Sequence, residues 1–120
     1  MAAFDHFAFA CQDLDEGVTR VESLTGVQAA PGGPHPGIGT HNALLSLGSN
    51  VYLEIIAVDP NQAEPSSARP FGIDDHRGPR LAAFAIHPGD GETIDSVAEA
   101  IRNHGTDPGP VAAMSRVKPD

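Results

Sequence analysis

Two stretches of this chain, 6-HFAFAC-11 and 81-LAAFAI-86, share a short alternation of alanine and phenylalanine, and each leads into a loop, a helix-patterned segment and a glycine. That repeat constrains the fold more than any other feature, because one strand–helix unit used twice must lay its strands against a shared core. It sets the offset between the halves at 81 less 6, or 75 residues.

The first half holds more than the repeat. The run 4-FDHFAFAC-11 reads as a buried strand, apolar on both faces. In 13-DLDEGVTRVESLTG-26, Asp13 and Glu16 have capping-box spacing, Leu14, Val18 and Val21 follow a helical period, and Gly26 stops the helix. The segment 27–39 begins as a strand and becomes a Gly/Pro loop, and 40-THNALLSLG-48 with 51-VYLEIIAVD-59 predicts a hairpin. Residues 1–60 therefore read as a complete β-α-β-β-β unit, and 61–79, without periodicity, as a linker. Residues 80–120 read as a partial second unit: a strand at 80–87, a helix over 93–105 with Thr93 as N-cap and Ile94, Val97 and Ile101 as its buried stripe, and one further strand from 109. The class is α+β.

Composition narrows the function. A length of 120 residues with 40% apolar content suits a single domain. The apolar runs fall short of the roughly 20 residues a membrane helix needs, and MAAFDHF has no secretory pattern. A single cysteine, Cys11, leaves no intrachain disulfide, in keeping with a cytoplasmic protein. Sixteen acids against seven bases, a net charge of −9, argue against nucleic acid, and the lack of Trp removes a base-stacking platform.

Four side chains stand out. His6 occupies a strand position with Ala8 and Ala10 on its face, which leaves room beside the imidazole. Glu54 interrupts the apolar strand YLEIIAV, and a buried carboxylate needs a cation, a metal or water. His41 and Asn42 are strand neighbours and face opposite ways. On the residues alone His6 reads first as a structural or edge histidine hydrogen-bonded to backbone, and the alternative for Glu54 is an outward-facing carboxylate on a sheet edge. His35 reads as a solvated loop histidine, and Cys11, in register with Phe7 and Phe9, as core.

The dipeptide Asp5-His6 opening the first strand, the stretch 32-GGPHPGIGTHNALLSLG-48 and the following 52-YLEIIAVDP-60 resemble the vicinal oxygen chelate superfamily, in its glyoxalase-like domain branch. The resemblance runs from about residue 4 to residue 118 and is strongest over 4–60. It implies paired βαβββ units of the glyoxalase/dihydroxybiphenyl dioxygenase fold, the second one incomplete here. It implies a divalent metal (Zn, Ni, Mn or Fe) that chelates two neighbouring oxygens of a small molecule and stabilises an anion, as in a lyase, isomerase or dioxygenase. Carried over by position, His6 and Glu54 become metal ligands, with Glu54 and His41 as catalytic residues. The offset of 75 places Leu81 where another ligand is expected, and the strands that would carry a fourth are not in this sequence. Closure of the half-built sheet by a second copy, a homodimer, is the matching expectation. A metal-free binding or sequestration protein using the same cleft, or a non-catalytic remnant, is the alternative.

Overall fold

The computed structural model describes residues 1–118. Five strands, β1 (Ala3–Cys11), β2 (Ala30–His35), β3 (Thr40–Gly48), β4 (Val51–Val58) and β5 (Arg80–His87), form one sheet in the order β2-β3-β4-β1-β5. Two helices, α1 (Leu14–Thr25) and α2 (Ile94–Asn103), and a 3-10 segment, Pro70–Asp75, complete the described structure. β1 runs parallel to β4, and every other neighbouring pair is antiparallel. None of the helices among the described residues is long and apolar enough to cross a membrane.

α1 starts where the sequence places it. Asp13 accepts a hydrogen bond from the Glu16 backbone N–H, and Gly26 closes the helix with φ 74°. Its inner face covers one side of the sheet. There Cys11, Val21, Ala29, Ala43, Leu45, Ile55 and Ala57 form a buried cluster, with Phe9, Leu14, Val18 and Leu53 against it. Burial and a weak bond to the Ile56 carbonyl keep the Cys11 thiol in this core, and burial first, then Asp13 and Glu16, pushes its pKa up to about 11.

Strand alternation sends the intervening residues to the second face of the sheet. At one end of that face Ala10 and Ile56 pack with Ile73 of the 3-10 segment. The segment is pinned by Arg69, buried at 7% exposure, which donates to the Gly39 carbonyl and pairs with Asp74 and Glu64. The linker at 61–79 is thus a wedge under the sheet as well as a connection.

Several expectations change here. The Gly/Pro stretch is a strand, because β2 lies at an edge of the sheet, where proline removes no ladder bond that a neighbour needs. The segment from 109 is not a strand among the described residues: no sheet edge is paired with it, and it returns to β2 through a single backbone bond, Val117 N–H to Pro34 O at 3.0 Å. In α2, Val97 and Ile101 are partly buried and Ala98 is buried, whereas Ile94 is 55% exposed. β5 forms the other edge and leaves Leu81 and Phe84 more than 60% exposed.

Candidate functional site

Four strands bring polar side chains to one place on the second face. The β1–β4 register sets His6 beside Tyr52, and their rings stack with centroids 4.6 Å apart and 13° between planes. Glu54 follows Tyr52 by two residues and so shares its face. From β3 comes Asn42, and from β2 His35. His6 Nε2 lies 3.4 Å from Glu54 Oε1, and His35 Nε2 lies 3.7 Å from Glu54 Oε2. Asn42 Nδ2 donates to Glu54 Oε2 at 2.7 Å, and its Oδ1 accepts from the Gly33 backbone N–H at 3.1 Å.

Both imidazoles are oriented from behind. His6 Nδ1 is 2.6 Å from Asp5 Oδ2, and His35 Nδ1 is 2.8 Å from Thr40 Oγ1. A carboxylate only accepts, so the His6 proton sits on Nδ1 and a neutral His6 turns the Nε2 lone pair toward Glu54. Two acceptors 3.4 Å apart repel unless a proton or a cation lies between them. Burial lowers the His35 pKa, Glu54 opposes that, and Arg116 and His41 add to it, so His35 is neutral at pH 7. Burial first, then Asp5 and Glu54, raises the Tyr52 phenol to about 12. Gly32 makes the arrangement feasible: a Cβ there would fall 1.9 Å from Asn42 Oδ1, so a side chain would displace the amide that steadies Glu54.

The family model for the glyoxalase-like domain matches residues 4–120. The chain belongs to the glyoxalase-like domain family. In backbone shape it is similar to a single-residue variant of Streptomyces coelicolor methylmalonyl-CoA epimerase solved with 2-nitronate-propionyl-CoA, at 19% identity over 86% of this chain and 69% of that one, with a TM-score of 0.57. A methylmalonyl-CoA epimerase solved with methylmalonyl-CoA and NH4+ gives 19% identity, 88% and 71% coverage, and a TM-score of 0.58. At these identities the likeness establishes the fold. Among curated proteins none matches the sequence.

Within this glyoxalase-like domain, the fold brings His6 and Glu54 together and leaves His41 apart. His41 pairs across with Ala57 and shares the α1 side of the sheet, where it borders a cavity with Leu14, Asp15 and Val18. Asn42 takes the inward position instead. His35 is buried at 3% exposure, not solvated. Its flanking prolines masked it in the sequence, since they signal a loop unless the strand is an edge. In the β1–β5 pair, which has irregularities at Phe4/His6 and Ala8/Phe9, Leu81 lies across from Phe9 and Ala85 across from His6. Alanine supplies no ligand atom.

The donor types suit a divalent ion. Imidazole nitrogen and carboxylate oxygen each bind one at about 2.0–2.2 Å, which is compatible with a 3.4 Å separation between His6 Nε2 and Glu54 Oε1. Either a cation there or a second ring proton on His6, between the Asp5 and Glu54 carboxylates, relieves the repulsion. Among the described residues, however, no three His, Cys, Asp or Glu side chains are placed around one point. His6 and Glu54 fit as two ligands of an ion whose remaining positions are open.

Proposed function

We propose that this glyoxalase-like domain binds a small oxygen-rich molecule on its second face and that His6 and Glu54 share a divalent ion there, in a lyase, isomerase or dioxygenase of the superfamily. The observation that carries the proposal is the 3.4 Å approach of two acceptor atoms, one of them on a buried carboxylate in an apolar strand. When bound, the ion would take up negative charge from a pair of ligand oxygens. The chain's own residues do the rest. Asp5 fixes the His6 tautomer, Asn42 holds Glu54, the Tyr52 ring walls the His6 side, and neutral His35 is positioned to accept a proton beside Glu54. The CoA thioesters of the solved epimerases are one example of the ligand class.

Thermal unfolding with added Zn, Ni, Mn or Fe(II) tests this reading. The expected result is a melting temperature that rises with at least one ion in the wild type and does not move in His6→Ala. No shift with any of the four sinks the metal part. That no group of three donors lies around one point among the described residues, with Ala85 opposite His6, favours a second reading: a metal-free binding protein using the same residues. Ligand-induced stabilisation that persists in chelator would select it.

We also propose a homodimer. β5 is an edge strand, and Leu81, Phe84 and Ile86 stand 61%, 68% and 41% exposed along it. A second copy would cover that row and end the open edge. Light scattering should give twice 12.4 kDa at micromolar concentration, and a mass of one chain would count against it.

A further inference from the structure

We propose that Arg116 is the anion-binding residue of this site and that its ligand carries a small carboxylate; this rests on the second-face reading above. The chain after α2 ends against β2, the edge of the sheet opposite to β5. Its seat there is specific. Besides the bond from Val117 N–H to Pro34 O, the backbone passes so close to Gly33 that a Cβ at that position would lie 1.8 Å from the Val117 carbonyl oxygen. Arg116 Cγ is 3.8 Å from the same point, which sets this side chain beside the strand that carries His35.

Arg116 is the one residue of 110–118 that is partly buried; the others are exposed. Arg69, the buried arginine, is paired with two carboxylates, whereas Arg116 has no ion pair or hydrogen bond among the described residues. A guanidinium drawn partly out of water without an acid is short of an anion. Its field reaches both His35 and Tyr52, so the charge falls on the polar part of the second face. The planar fork of Arg matches a carboxylate at two points. Glu54 and Asp5 nearby would repel a dianionic phosphate more than a singly charged carboxylate.

Pyruvate tests this, with pyruvamide as its neutral counterpart and inorganic phosphate as the competing anion. Binding to the whole chain is followed by chemical-shift titration. Wild type should bind pyruvate saturably, and Arg116→Gln should bind it about tenfold or more weakly, as expected for loss of one charge-assisted pair. Arg116→Lys should recover part of the loss, and pyruvamide should bind both forms alike. Gly33→Ala, which unseats the segment while Arg116 remains, should reproduce the loss with the His6 resonances unmoved. Pyruvate bound equally by wild type and Arg116→Gln but lost in Glu54→Gln overturns the role of Arg116 and leaves the site reading standing. Phosphate bound more tightly than pyruvate, or no saturable binding of pyruvate by wild type, overturns the carboxylate class.

Discussion

Glu54→Gln is expected to remove the response to divalent ions and at the same time to stabilise the domain by about 1 kcal/mol, near the net worth of one hydrogen bond. The glutamine is isosteric. Its carbonyl oxygen can keep the bond from Asn42 Nδ2, and its amide can donate to the His6 Nε2 lone pair that now faces an acceptor at 3.4 Å. Where two acceptors would face each other a hydrogen bond forms, and a buried carboxylate at 9% exposure is replaced by a neutral amide. For a domain of this size that gain is a rise of about 3–6 °C in melting temperature. Such a gain would mark Glu54 as a residue kept at a cost in stability. Denaturant unfolding and thermal scans with and without metal measure both halves. A variant destabilised by more than about 1 kcal/mol would mean that Glu54 is a structural acceptor and that no cation is called for.

Ile55→Ala is expected to have the largest effect on stability, a loss of about 3–4 kcal/mol. Ile55 is fully buried beneath α1, and three of its six companions in the core cluster are alanines. Few large side chains hold the helix to the sheet, so the cavity cannot close by small rearrangements. Against a total of about 5–15 kcal/mol for a domain, the variant would be close to unfolding at 37 °C. Its neighbour Ile56 faces the other way, into the smaller group with Ala10 and Ile73. Ile56→Ala should therefore lose less. Urea melts of the two variants measure the difference. Equal losses, or a loss below about 1 kcal/mol at Ile55, would show that the face beneath α1 is not the main core.

The elements with strong local signals were legible. Asp13, Glu16 and Gly26 bracket α1 within a residue of its observed ends, and the alternation in 40–59 gives the β3–β4 hairpin with its turn. His6 and Glu54 could be singled out because each sits where a strand ordinarily carries an aliphatic residue. Their approach across a parallel pair could not be read from spacing, since it depends on register between segments nearly fifty residues apart. His35 was missed because its prolines signal a loop unless the strand is known to be an edge, and edge position is a property of the whole sheet. Which β5 residue lies across from His6 could not be read from the sequence either, because the bulges in the β1–β5 pair shift the register. Choosing between His41 and Asn42 needed only the direction of one strand face, which a sequence leaves undetermined at an adjacent pair.

The most direct measurement is the nitrogen NMR of the histidine rings during a zinc titration. The account predicts that His6 Nε2 moves to a metal-bound position while its Nδ1 stays protonated on Asp5, that His35 responds with it, and that His41, His76, His87 and His104 stay where they are. A zinc response at His41 or at the exposed histidines, with His6 and His35 unmoved, would contradict it.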